Sequence, residues 1–404
     1  GGVYVRQARG AADAKGERGL IIHLQGGGWC TSADECALRS ESELGSAASW
    51  PARRAHLEGV LDQGDFGIFS GNESVAGRWS GWAHAWLMYC DGASSSGDRE
   101  EAVWGTSADT GENRTLFFRG RRHIDALPAT LAAAGVLRQD TTDVLITGSS
   151  AGGLAVLLHA DALADVVRAH APRAHVAAFS DSGIFPHIRD FEGHDRFKGH
   201  YAHVAHMQHV RVGDGNGCAA AHPHELFRCF LSEVALEHVR TPLFVFAWAH
   251  DTWQAANLAH VECVGRAFDC DGAEAAALDE LAVRVRTAVR ERVRAEPRTG
   301  AFVLSCRGHA GTTVDRVWEH AAIRGVKLRD VFQRWYAEGS VGGVRVVGGD
   351  GSAAGRHAHF DCGGSVEGEP GWECNQACAA VELEKYSRGC KLVELSPGNV
   401  ACIA

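Results

Sequence analysis

Residues 143–157 read DVLITGSSAGGLAVL, and this stretch decides the fold class. An aliphatic and β-branched run ends at Gly148, and a run of small and aliphatic residues follows Gly152. The five residues between them are Gly-x-Ser-x-Gly, which in a strand–turn–helix setting exposes a nucleophilic serine on a strained turn with no room for a Cβ at either glycine. The alternative is an ordinary glycine-rich loop before a helix. The setting favours the turn, and we predict that Ser150 is a nucleophile.

Apolar runs of the same kind recur along the chain and alternate with helical or loop segments. The predicted strands are residues 20–25, 85–89, 143–147, 176–179, 243–247 and 302–304. Helical spacing occurs at residues 32–43, 124–134, 152–170 and 273–294. Because strands with two buried faces are typical of parallel sheets, this alternation predicts an α/β fold with a mostly parallel sheet covered by helices. We expect one domain over residues 1–404, in which residues 340–404 form a Gly- and Cys-rich, disulfide-rich tail.

The composition is that of a folded globular protein, with 45% hydrophobic and 22% charged residues among 404. The formal net charge of −10 argues against a nucleic-acid partner, because phosphate binding needs a basic surface. The sequence contains no run long and apolar enough for a membrane span. It begins Gly1-Gly2-Val3 without an apolar signal segment, and we expect a mature or trimmed form of a longer precursor.

The thirteen cysteines lack the spacing of a zinc site and therefore indicate disulfides and secretion. Sequons at Asn72 and Asn113 fit an extracellular route, although such short motifs also arise by chance. Three pairs bracket short loops that a bridge closes at little entropic cost: Cys30 with Cys36, Cys218 with Cys229, and Cys263 with Cys270. Cys90 is left over when three further bridges of open connectivity are drawn from Cys306, Cys362, Cys374, Cys378, Cys390 and Cys402.

A serine nucleophile needs a base that is held by a carboxylate, and in α/β-hydrolase folds the three follow in the order Ser, acid, His. Asp251 comes just after the apolar run 243–247, and His309 comes just after the run 302–304. Both residues therefore follow a predicted strand, as the fold requires. This position favours them over His250, His260, Asp269 and Asp271.

Acyl transfer also needs hydrogen-bond donors for an oxyanion. In this fold one N–H belongs to the residue after the nucleophile, here Ala151, and another to the glycine loop after an early strand. The predicted strand 20–25 runs into Gly26-Gly27-Gly28-Trp29, whose glycines allow backbone N–H groups to turn inward. An ordinary tight turn would have the same composition. Together with the serine turn, the loop predicts an oxyanion hole formed by Gly28, Trp29 and Ala151.

Four segments together resemble the pectin acetylesterase family, which includes the Notum-like carboxylesterases: HLQGGGWC at 23–30, YCDGAS at 89–94, GSSAGG at 148–153 and DTWQ at 251–254. The resemblance extends over nearly the whole chain. It implies a secreted serine esterase with a modified α/β-hydrolase fold, without metal or cofactor. By the same resemblance the nucleophile, acid and base are Ser150, Asp251 and His309, and the oxyanion hole consists of Gly28, Trp29 and Ala151.

The resemblance leaves the substrate open. Plant-type members remove acetyl groups from pectin, whereas Notum-like members remove a longer acyl chain from a protein. The run 89–94 is more plant-like, which favours deacetylation of pectin or a related cell-wall polysaccharide. A carbohydrate-binding protein on a degenerate hydrolase scaffold is a third hypothesis, but its expected sign is a lost triad member. A lipase would need a large apolar lid, and the sequence has no convincing one.

The chain departs from the family pattern at two internal positions, and its tail after Gly339 resembles the family only through its cysteines. Ala310 follows the predicted base where plant members usually have a cysteine, and Asp181-Ser182-Gly183 replaces Asp-Ala-Gly. Family members carry a cysteine shortly before the segment that matches Gly1-Gly2-Val3-Tyr4. The resemblance therefore implies that Cys90 pairs with an upstream cysteine in the full-length protein, and a buried free thiol is the alternative.

Overall fold

The fold is known from a computed structural model that describes residues 2–8, 18–49, 66–266, 269–323, 325–339, 359–361, 391–396 and 399–403. Most of the predicted tail, 340–404, lies outside these ranges, and so do four of its five cysteines.

One eight-stranded sheet forms the centre of the fold. The described strands are β1 (Val3–Arg6), β2 (Gly19–Leu24), β3 (Ala83–Leu87), β4 (Val103–Thr106), β5 (Asn113–Leu116), β6 (Asp143–Ser149), β7 (His175–Asp181), β8 (Leu243–Asp251), β9 (Gly300–Gly308), β10 (Ala322–Ile323), β11 (Val326–Lys327), β12 (His359–Asp361), β13 (Lys391–Ser396) and β14 (Asn399–Ile403). The sheet order is β1-β3-β2-β6-β7-β8-β9-β12, and every neighbouring pair is parallel except β1 with β3. The prediction of a mostly parallel sheet is confirmed.

Helices cover both faces of this sheet. The described α-helices are α1 (Ala33–Arg39), α2 (Glu73–Ala76), α3 (Gly120–Ala133), α4 (Ala151–His170), α5 (Arg196–Gln208), α6 (Gly217–Ala221), α7 (Ser232–His238), α8 (Thr252–Asn257), α9 (Gly272–Ala295), α10 (Asp315–His320) and α11 (Leu328–Arg334). None of the described helices is long and apolar enough to cross a membrane.

The core has two layers because side chains of a strand alternate between the faces of a sheet. On one face, Ile22 and Ile146 share a cluster with α4 and α9. On the other face, Ile21 and Leu145 share a cluster with α10 and α11, which contribute Trp318 and Phe332. Burial on both faces explains why these strands read as continuous apolar runs.

The six predicted strands all belong to the central sheet, with ends that differ by a few residues. The four predicted helices are also present, although the segment 32–43 is helical only from Ala33 to Arg39. The sequence does not indicate β1, because its four half-buried residues lack an apolar run. The β4–β5 hairpin was also missed.

The three disulfides predicted from local spacing are present: Cys30–Cys36, Cys218–Cys229 and Cys263–Cys270. Cys306 is also disulfide-bonded. Cys90 is a half-buried free thiol among the described residues. Its pairing with an upstream cysteine stays a prediction.

The parallel sheet brings several predicted site segments to one edge. Register pairs place Leu24 beside Gly148, Ser149 beside Asp181, and Asp251 beside Gly308. These pairs lie at the carboxyl ends of β2, β6, β7, β8 and β9, where ligands bind in open α/β sheets.

Candidate active site

Ser150 occupies a strained turn between β6 and α4. Its backbone has φ 60° and ψ −127°, a conformation that residues other than glycine rarely adopt. A Cβ atom at Gly148 would lie 2.3 Å from the carbonyl oxygen of Gly152, and one at Gly152 would lie 2.0 Å from that of Leu24. Both glycines are therefore required by close backbone contacts, as the sequence predicts.

The structure brings the predicted acid and base to Ser150. His309 Nε2 lies 2.8 Å from Ser150 Oγ, and His309 Nδ1 lies 2.8 and 2.9 Å from the two carboxylate oxygens of Asp251. Because a carboxylate only accepts, Nδ1–H donates to Asp251 and Nε2 is left to accept from the serine hydroxyl. The Asp251 side chain is fully buried and that of His309 is 13% exposed.

Asp251 is held in place by the helix that follows it. Its Oδ1 accepts a hydrogen bond of 2.9 Å from the Gln254 backbone N–H at the start of α8. Two of the competing candidates have other roles: His250 Nδ1 bonds the carbonyl of Ser305, and Asp271 caps α9. Asp251 ends β8, and His309 directly follows β9. Because β8 and β9 are neighbours in the sheet, this carboxylate lies beside the imidazole.

The glycine loop lies directly against the serine turn. A Cβ atom at Gly26 would be 2.1 Å from the Ser149 carbonyl oxygen and 3.0 Å from the Ser150 Cβ. Gly27 and Gly28 have positive φ values of 142° and 65°. These close contacts and positive φ values explain why three glycines follow β2.

Buried hydrogen bonds from Tyr89 and to Ser94 hold the glycine loop in place. The Tyr89 hydroxyl donates to the Gly28 carbonyl over 2.7 Å, and Trp29 Nε1 donates to Ser94 Oγ over 2.9 Å. Within the described residues, the backbone N–H groups of Gly28, Trp29 and Ala151 have no acceptor. Donors at these positions are available to a bound ligand.

A cavity of about 790 Å³ opens onto Ser150 and His309. Its other lining groups include the glycine loop, three indoles, four carboxylates and a guanidinium: Gly26, Gly27, Gly28, Trp29, Trp86, Trp253, Glu35, Glu41, Glu43, Asp109 and Arg39. His23 also lines it, and burial lowers the pKa of this imidazole to about 3, so that it is neutral.

Two neighbours of this site were not assigned a role from the sequence. The carboxylate of Asp181 accepts hydrogen bonds from Ser149 and from the loop after His309, and Trp253 stacks on the His309 ring. The signal for Asp181 is its position within a few residues of the end of a predicted strand, as for Asp251. The DTWQ segment contains Trp253, but a stacking partner is visible only in three dimensions.

A family model described as Pectinacetylesterase matches residues 3–378. The chain belongs to the pectinacetylesterase family. Its relatives include Pectin acetylesterase 5 of Arabidopsis thaliana, 29% identical over 75% of this chain and 68% of that protein. Pectin acetylesterase 7 of the same plant is 30% identical over 73% of this chain and 71% of that protein.

A second group of relatives carries a different name. Palmitoleoyl-protein carboxylesterase NOTUM of Drosophila melanogaster is 28% identical over 78% of this chain, but the match spans only 43% of that protein. Both groups are esterases, and this chain is a carboxylic ester hydrolase.

The structure of the Wnt deacylase Notum from Drosophila has the same fold. It matches this chain with a TM-score of 0.68 and 22% identity, over 83% of this chain and 87% of that one. The predicted α/β-hydrolase-like fold is thereby confirmed.

Proposed function

We propose that this esterase uses Ser150 as nucleophile, His309 as general base and Asp251 as the acid that orients the base. The observation that carries the proposal is the unbroken chain of hydrogen bonds of 2.8 Å from Ser150 Oγ through the imidazole to the buried Asp251 carboxylate. The same arrangement supports Ser-His-Asp catalysis on unrelated folds.

In the first half of the reaction, Ser150 Oγ attacks the carbonyl carbon of the substrate ester while its proton moves to His309 Nε2. The negative charge that develops on the carbonyl oxygen is met by the backbone N–H groups of Gly28, Trp29 and Ala151. Because Ala151 begins the twenty-residue helix α4, the helix N-terminus adds to this stabilisation.

The protonated His309 then acts as general acid and completes the formation of the acyl-enzyme. The imidazolium gives its proton to the leaving alcohol oxygen, and the ester bond to the alcohol breaks. Water then attacks the acyl-serine, His309 takes a proton from that water, and the carboxylic acid leaves as Ser150 regains its hydrogen. No step of this scheme uses a metal or a cofactor.

The substrate that we propose is acetylated pectin or a related cell-wall polysaccharide. The Arabidopsis relatives are named as pectin acetylesterases, and matches to them cover over two thirds of their length.

We propose a secreted enzyme of the cell wall or extracellular space, since disulfides such as Cys218–Cys229 persist in oxidising compartments. We also propose that residues 1–404 form one catalytic domain.

The test compares the wild type with Ser150→Ala on acetylated pectin, acetylated xylan and long-chain ester probes. We expect acetate release by the wild type and a loss of up to about a millionfold in the variant, with an unchanged circular dichroism spectrum. A variant with a tenth of the wild-type activity would contradict the nucleophile. Wild-type preference for the long-chain probes would contradict the acetyl substrate.

A further inference from the structure

Asp181 and Ser182, at the carboxyl end of β7, connect the two segments that carry the reacting groups. Neither residue lines the catalytic cavity, and both are buried. The inference about them rests on the proposed function, because it concerns the distance between Ser150 and His309.

The first connection is to the serine turn. The backbone carbonyl of Asp181 accepts a hydrogen bond of 2.8 Å from the Ser150 N–H. The hydroxyl of Ser149, the residue before it, donates to Asp181 Oδ2 over 3.0 Å. Asp181 therefore holds the turn through its backbone and through its side chain.

The second connection is to the loop after His309. Three consecutive backbone N–H groups of this loop donate to the dipeptide: that of Ala310 to Ser182 Oγ at 3.0 Å, and those of Gly311 and Thr312 to Asp181 Oδ2 at 2.9 Å each. The Thr312 hydroxyl also donates to Asp181 Oδ2, at 2.7 Å. The Ser182 hydroxyl donates to Asp181 Oδ1 at 2.9 Å, which joins the two acceptors.

The two residues with strained backbones in these segments are both held by the dipeptide. Ser150 has φ 60° and Ala310 has φ 56°. Such conformations are unfavourable for residues other than glycine and persist only where the surroundings impose them. The N–H of Ser150 is bound by Asp181 and the N–H of Ala310 by Ser182.

We propose that Asp181, assisted by Ser182, is a positioning residue that sets the 2.8 Å separation of Ser150 Oγ and His309 Nε2. Without the carboxylate, the buried N–H groups of Gly311 and Thr312 lose their acceptor, and the loop moves to find another. A displacement of the base by about 1 Å lowers the rate by about a hundredfold.

Asp181→Ala removes every side-chain acceptor, whereas Asp181→Asn is the conservative variant. An asparagine can place its amide oxygen at the Oδ2 position and direct its amide nitrogen to Ser182 Oγ. We expect kcat to fall by about a hundredfold in Asp181→Ala and to stay within about tenfold of wild type in Asp181→Asn. KM should stay within about twofold in both, because the Asp181 side chain itself does not line the cavity.

Asp161 provides a matched control. It is also buried, and its carboxylate also binds a loop, accepting from the N–H of Arg240 and from the N–H and hydroxyl of Thr241. Asp161→Ala removes a comparable set of bonds remote from the triad. We expect it to lower the melting temperature without changing kcat of the folded enzyme.

Two milder variants keep the test decisive if Asp181→Ala does not fold. Ser182→Ala and Thr312→Val each remove one hydroxyl of the network, and we expect each to lower kcat by about threefold to tenfold at constant KM. Unchanged kcat in both would overturn the proposal.

Three further outcomes are decisive. Wild-type kcat in folded Asp181→Ala, or an equal loss in Asp161→Ala, would overturn the positioning role. An Asp181→Asn variant as slow as Asp181→Ala would overturn the positioning role in favour of a charge effect.

Ser150→Ala is measured beside these variants to separate the two proposals. If Ser150→Ala stays active, the proposed function fails. If Ser150→Ala is inactive and Asp181→Ala is fully active, only the positioning role fails.

Discussion

The indole of Trp253 lies nearly parallel to the imidazole of His309, with ring centres 5.9 Å apart and planes at 29°. Trp253 is itself packed against Trp29 and Phe185, at ring-centre distances of 5.5 and 5.6 Å. The face of an aromatic ring attracts a cation. In the mechanism that we propose, the indole is therefore placed to stabilise the imidazolium that forms when His309 takes the serine proton.

Replacing Trp253 by leucine should lower kcat by about threefold to thirtyfold, since a cation–π contact contributes about 0.5–2 kcal/mol. Trp253→Phe should retain most of the activity because it keeps an aromatic face. Steady-state kinetics on a short-chain ester measure both. Equal rates for the leucine and phenylalanine variants would argue against the stacking role.

Asp251→Asn should lower kcat by about ten-thousandfold, because an amide opposite Nδ1 favours the wrong tautomer of His309. Asp271→Asn is the matched control, since Asp271 caps α9 and asparagine caps helices equally well. We expect the control to keep wild-type kcat and stability. A large loss in Asp271→Asn with a mild effect of Asp251→Asn would mean that the acid is misassigned.

Gly26→Ala should reduce activity by about a hundredfold or more, because the added methyl would lie 2.1 Å from the Ser149 carbonyl oxygen and displace the serine turn. Gly199 lies within helix α5, and a Cβ atom there would meet nothing within 4 Å. Gly199→Ala should therefore keep full activity and stabilise the protein by about 0.5–1 kcal/mol. Kinetics and thermal unfolding of both variants check the pair. An active Gly26→Ala enzyme would show that the loop can move aside.

Stability should fall in acid partly through His159, which is fully buried in α4. Burial lowers its pKa from 6.5 to about 3. The folded protein therefore keeps this imidazole neutral where the unfolded chain binds a proton, so stability present above pH 6.5 is lost as the pH falls toward the folded value. Between about pH 7 and pH 5 this single group should cost about 2 kcal/mol.

Urea unfolding of the wild type and of His159→Gln at several pH values isolates this contribution. The wild type should lose about 2 kcal/mol more than the variant over that interval, because only the wild type takes up this proton on unfolding. If the free energies of unfolding of the two proteins depended on pH in the same way, His159 would not be the cause of this loss of stability.

Much of the fold and of the site could be predicted from local sequence. The buried strands are short apolar runs. The serine turn and the glycine loop follow such runs directly, and Asp251 and His309 each follow one within five residues. Their convergence is a property of parallel sheets, in which all carboxyl ends lie at one edge. The sequence did not predict elements that lack an apolar run, such as β1. The conformation of β1 depends on its pairing with β3.

The sequence by itself determined the strand–turn–helix around Ser150, because the required glycines and the apolar runs are local properties of the chain. Only the tertiary structure decided how Ser150 and His309 are held 2.8 Å apart. The bonds from Gly311 and Thr312 to Asp181 join residues 130 and 131 positions apart. They exist because β7 lies between β6 and β8 in the sheet, and that strand order arises from packing of the whole core.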